Sequence, residues 1–133
     1  LHAECRMSLT FGIPCSQVSA KLVSQIKAWN GPAGCANGGE KCLYSLTSVS
    51  PNKLEATHET PTHHYVDALT LTFTSPTSVA CNVDAFSSSK VVYAVLDDGT
   101  NYCNIFNLLE ASGLTTVPGF TLTTSDKICT QYS

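Results

Sequence analysis

The chain has 133 residues, a formal net charge of −3 and only 13% charged side chains. That length suits one domain over residues 1–133, large enough to bury roughly two-thirds of its unfolded surface. Phosphate recognition needs clustered Lys and Arg, so the charge balance speaks against nucleic acid, and no apolar run reaches the roughly 18 residues of a membrane-spanning helix.

The first pattern is an alternation of Met7, Leu9, Phe11 and Ile13, which predicts an N-terminal strand ended by Pro14. Ser16 is placed to cap a helix over 17–29, with Val18, Leu22, Ile26 and Trp29 on one face and Val23 beside them. Asn30-Gly31-Pro32 stops that helix, and Trp29 is expected to be buried under a sheet. Residues 33–41 read as a Gly-rich loop without the spacing of a phosphate-binding motif, and a strand over 42–49 turns at Pro51-Asn52.

The stretch from Leu54 to Phe73 is the clearest hairpin. Side chains alternate faces along a strand, so one residue of slip would turn an arm inside out. A four-residue turn at 61–64 matches the apolar faces: it sets Leu54 opposite Leu71, Ala56 opposite Leu69, and His58 opposite Asp67. A second hairpin is expected to turn at 74–78 and to match Leu69, Leu71 and Phe73 with Val79, Cys81 and Val83, with a break at 87–90. Val91 to Leu96 reads as a strand buried on both faces, and Asp97-Asp98-Gly99 as a turn. Thr100 caps a second helix over 101–111, with Tyr102, Ile105, Phe106 and Leu109 as its buried stripe and Gly113 as its stop. A late strand lies around Phe120 to Thr124. The expected fold class is α+β: an antiparallel meander sheet with an N-terminal helix and a second helix packed on one face, stapled by disulfides.

The staples are Cys5, Cys15, Cys35, Cys42, Cys81, Cys103 and Cys129. Zinc sites want C-x-x-C pairs, and there are none, so the cysteines read as a disulfide framework of an oxidising compartment. With no Met at its start, the chain reads as a mature secreted, extracellular protein. Seven is odd: three intramolecular bonds leave one cysteine, which could join a second chain as a disulfide-linked dimer. Proximity favours Cys35 with Cys42 and Cys5 with Cys15.

At Trp29-Asn30-Gly31-Pro32, at Gly38-Gly39-Glu40-Lys41-Cys42-Leu43-Tyr44 and at Asp98-Gly99-Thr100-Asn101-Tyr102-Cys103-Asn104 the chain resembles a family of small secreted cysteine-stapled proteins of unknown function from fish and other chordates. The hairpin-then-helix half is similar to a bacterial family of uncharacterised domains. Neither resemblance implies a catalytic residue or a ligand.

Several constellations invite chemistry. His58, Glu59, His63 and His64 have metal-ligand composition, but neighbours on a strand point to opposite faces, so a polar turn is the leading reading and a surface copper or zinc site the lesser one, and no metal or other cofactor is assigned. Asp97, Asp98 and Asn101 lack the calcium-loop pattern and are explained by turn and cap duty. His58 beside Asp67 is sharper. A carboxylate orients an imidazole and raises its pKa, and with a serine the pair would resemble a small hydrolase's machinery, although no nucleophile-elbow motif occurs. A sheet roofed by a helix often leaves a cavity. Trp29, Tyr65, Leu69, Leu71 and Phe73 would line it together with Leu22 and Ile26, and His58 and Asp67 would be its polar handle. The leading expectation is therefore a secreted binder of a small apolar or amphipathic molecule. Its rivals are the hydrolase and a structural or host-defence protein acting through a Ser/Thr-rich surface or as a dimer.

Overall fold

The computed structural model describes residues 3–90, 99–125 and 129. The elements run β1 (Glu4–Phe11), α1 (Cys15–Ala28), β2 (Tyr44–Ser50), β3 (Lys53–Glu59), β4 (Val66–Thr77), β5 (Ala80–Ser89), α2 (Thr100–Ala111) and β6 (Thr121–Thr123). Short 3-10 turns occupy Ala33–Gly38 and Leu114–Thr116. The strands form one antiparallel sheet in the order β2-β3-β4-β5-β1-β6. This is the expected α+β class, with α1 and α2 packed on the sheet. The expected strand at 91–96 and the turn residues Asp97 and Asp98 lie outside the described residues.

Alternation decides which face is buried. Leu54, Ala56 and His58 of β3 point inward with Asp67, Leu69, Leu71 and Phe73 of β4. Cys81, Val83, Ala85, Ser87 and Ser89 of β5 join them, as do Cys5, Met7, Leu9 and Phe11 of β1. The opposite face carries Thr70, Thr72, Asn82, Asp84 and Ser8, all partly or fully exposed. From α1, Val18, Leu22 and Ile26 close over the buried face, and Ile105, Leu108 and Leu109 do so from α2.

The central hairpin has the expected register, with Leu54↔Leu71, Ala56↔Leu69 and His58↔Asp67. Its turn is closed by the Thr60 amide donating to the Tyr65 carbonyl at 2.8 Å, and His64 takes the left-handed conformation there, with φ 57°. The second hairpin differs from expectation. Its strands run on to Thr77↔Ala80, so the turn is the two residues Ser78 and Val79, and Phe73 faces Val83 rather than Val79. The shift is four residues, an even number, so every side chain keeps its expected face. Ser75-Pro76 sits in a bulge between Thr74 and Thr77, where proline's missing amide is tolerated. Nor does β5 break at 87–90. It runs to Ser89, and its inward positions turn from apolar to serine.

Both helix starts are corrected. Pro14, not Ser16, caps α1: its extended backbone presents its carbonyl to the amides of Gln17 and Val18. Gly99, at φ 78°, caps α2 in place of Thr100. The buried stripe of α2 is also rotated: Asn101, Asn104, Ile105, Leu108 and Leu109 face inward, while Tyr102 and Phe106 stack on each other at its flank. Trp29 is only half-buried. It ends α1 and lies against the Tyr44 ring at 5.6 Å.

Three disulfides close the fold: Cys35–Cys42 as expected, but Cys5–Cys129 and Cys15–Cys81 instead of Cys5–Cys15. Cys5 points into the core from β1 and Cys15 begins α1, so each finds a partner distant in sequence and near in space. Cys103 is the cysteine outside these bonds and is exposed on α2.

Candidate functional site

The far end of the buried sheet face is polar. His58, Asp67, Ser87, Asn101 and Asn104 are each 3% exposed or less. They are brought together because β3, β4 and β5 end inward-facing rows there, and the first turns of α2 lie over those ends. The Asn104 amide nitrogen donates to Asp67 Oδ2 at 2.7 Å and to Ser87 Oγ at 3.2 Å. The Ser87 hydroxyl donates to Asn101 Oδ1 at 2.7 Å. The Tyr44 hydroxyl donates to the Asn104 carbonyl at 2.8 Å, and burial pushes its pKa far up. Buried polar groups persist where they are hydrogen-bonded, because a lone one carries the full cost of desolvation.

His58 and Asp67 are cross-strand neighbours, as the register demanded, but the imidazole does not use the carboxylate as its hydrogen-bond partner. Its Nε2 lies 2.8 Å from the Glu40 carbonyl, which can only accept, so Nε2 carries the proton. Nδ1 is buried without a hydrogen-bond partner, and the Tyr44 ring covers the imidazole at 4.4 Å. The expected upward pKa shift is therefore corrected. Burial lowers the His58 pKa below its ordinary value, outweighing the upward pull of the Glu40 carbonyl and carboxylate, Asn104 and the Cys42 carbonyl. With the Ser87 hydroxyl donating to Asn101 Oδ1 and Nδ1 unpartnered, these residues do not assemble a serine–histidine–aspartate relay.

The other expected site residues separate. Leu22, Ile26, Leu69, Leu71 and Phe73 belong to the packed core, while Tyr65 is 43% exposed and stacks on His63. His64 pairs with Glu59 at 2.8 Å. Among the described residues no three His, Cys, Asp or Glu side chains converge on a metal position.

A groove was missed by the sequence. It lies between the N-terminal half of α1 and the tips of two hairpins, with a volume of about 760 Å³. Pro14, Ala20 and Val23 form one wall, and Val49 and Pro51 the other. The hydroxyl-bearing residues Ser16, Ser19, Ser50, Ser75 and Ser78 line the rest, with no charged side chain. The signal was present in the outward positions of α1, where Ser16, Ser19, Ala20 and Val23 replace the charges usual on a helix's outer face. Only the tertiary position of the hairpin tips makes those positions one wall of a groove.

No family model and no curated protein matches the chain. Among solved structures, it is similar to a solution structure of a protein from Thermobifida fusca, at 16% identity and TM-score 0.42, over 84% of this chain and 93% of that one. It is also similar to parafusin, a phosphoglucomutase phosphoprotein from Paramecium, at 11% identity and TM-score 0.40. That likeness covers 90% of this chain but only 22% of parafusin.

Proposed function

We propose that this protein is a secreted, extracellular binding protein for a small, uncharged amphipathic molecule held in the groove between α1 and the hairpin tips. The observation that carries the reading is the lining: apolar walls, five serines and no charge. The volume falls within the roughly 300–1,000 Å³ of small-molecule sites. Apolar walls supply non-directional affinity, and hydroxyls, which donate and accept, can orient a neutral polar group. Three disulfides are consistent with an extracellular setting, and they brace the wall, because Cys15–Cys81 fixes the start of α1 to β5.

A structural or defence role through the open sheet face is the second reading, favoured by the row Thr70, Thr72 and Thr74 on β4. Fluorescence titration with a neutral naphthylamine dye separates the two. A single saturable site, weakened at least tenfold by Ala20→Trp, is expected for the binding protein. Ala20 is exposed, so that substitution fills the groove without touching the core. Absence of saturable binding, or equal binding by Ala20→Trp, would overturn the binding reading.

A further inference from the structure

Apart from the groove, we infer that the loop from Gly31 to Leu43 is an acid-released latch held shut by His58. The loop is tied at several points. The Cys35–Cys42 bond closes it, and a Cβ on Gly34 would collide with the Lys41 carbonyl, so the two limbs touch. The Leu43 amide donates to the Gly31 carbonyl at 3.1 Å, and the Tyr44 amide to the Trp29 carbonyl at 3.0 Å. Leu43 holds φ 56°, a left-handed conformation that its side chain disfavours and that only surrounding contacts maintain. His58 Nε2 ties the sheet's inner face into this loop through the Glu40 carbonyl at 2.8 Å.

That bond survives only while the imidazole tolerates its surroundings. A proton added at Nδ1 would put a charge on a ring that is 1% exposed, at an atom that has no hydrogen-bond partner in the closed structure. The groups facing the ring are Glu40 and the Cys42 carbonyl from the loop, Tyr44 from β2, Asp67 from β4 and Asn104 from α2, with Cys103 beside it. Asn104 donates to Asp67, so it holds that carboxylate in the neighbouring polar cluster. Glu40 and Asn104 favour the imidazolium, but burial outweighs them and the folded pKa is lowered. When the loop lifts, the ring reaches water and regains its ordinary affinity for a proton. Opening therefore grows as pH falls below about 6.5, by up to tenfold per unit, until the lowered folded value is passed. Above that window the latch is fully closed. Release breaks the His58 contact with Glu40 while the Cys35–Cys42 bond keeps the two limbs of the loop joined.

Amide exchange, corrected for the intrinsic pH dependence of the rate, tests this on the native protein. Protection of the Leu43, Tyr44 and Glu59 amides should fall up to tenfold per pH unit below about 6.5, while the amides pairing β1 with β5 keep theirs. His58→Gln should remove the dependence. Should that variant not fold, Glu40→Gln serves instead: it deletes a charge that favours the imidazolium in the closed state, so the folded value drops further and the loss of protection should continue to a lower pH while its onset stays near about 6.5. Loop protection that is independent of pH, loss of protection equally in the β1–β5 amides, or a His58 ring that titrates at or above the ordinary value would each overturn the latch.

Discussion

The two ends of the buried sheet face are built on different chemistry. Towards the β4–β5 turn, inward positions are Leu54, Leu71, Phe73 and Val83, and α1 supplies Leu22 and Ile26 against the same core. Towards the other end of the same strands they are His58, Asp67, Ser87 and Ser89, and α2 supplies Asn101 and Asn104. The alternation that makes them strands is identical. The apolar end is held by volume and area removed from water, which any well-shaped apolar side chain supplies. The polar end is held by hydrogen bonds that link Asp67, Ser87, Asn101 and Asn104, with His58 Nδ1 beside them left without a partner.

The comparison breaks most visibly at Leu71. Leu71→Ala should cost about 2–5 kcal/mol, read as a lower urea midpoint at unchanged slope, whereas Leu71→Met should cost under about 1.5 kcal/mol. Equal losses would mean that shape, not volume, governs this end. The polar end should behave in the opposite way. Asn104→Leu roughly keeps the volume yet removes the donor to Asp67 and Ser87, so it should cost about 1–3 kcal/mol. A neutral result would show that these hydrogen bonds are not what holds the cluster. The smallest effect belongs to the open face, where Arg6 pairs with Asp84 and lies over the Phe86 ring, with both charged side chains 49% exposed. Arg6→Ala should change stability by about 0–1 kcal/mol, and a larger loss would show that the open face is braced as the buried one is.

The same contrast explains what could be read from the residues alone. The central hairpin was legible to the register because Leu54, Ala56, Leu69 and Leu71 leave one solution. The β4–β5 turn was misplaced because Ser75-Pro76 carries a turn's composition inside a bulge. The stripe of α2 was rotated because Tyr102 and Phe106 outweigh Asn101 and Asn104 in any hydrophobic count, yet the asparagines have partners waiting on β4 and β5. Of the disulfides, only the one spanning seven residues followed from proximity, since the other two join positions 66 and 124 residues apart. His58 and Asp67 were rightly set opposite each other, but register gives the distance between strands and not which way an imidazole turns. The loop that takes its proton, at Glu40, lies 18 residues upstream.

The most direct test of the binding account is a nitrogen-15 chemical-shift map recorded while the neutral naphthylamine dye is added to the native protein. The account predicts saturable shifts gathered at Ser16, Ser19, Ala20 and Val23 of α1 and at Val49, Ser50, Ser75 and Ser78 of the hairpin tips, with the Asn101 and Asn104 amides unmoved. Shifts gathered instead on the Thr70–Thr74 face or around Asn104, or no shifts at saturating dye, would contradict it.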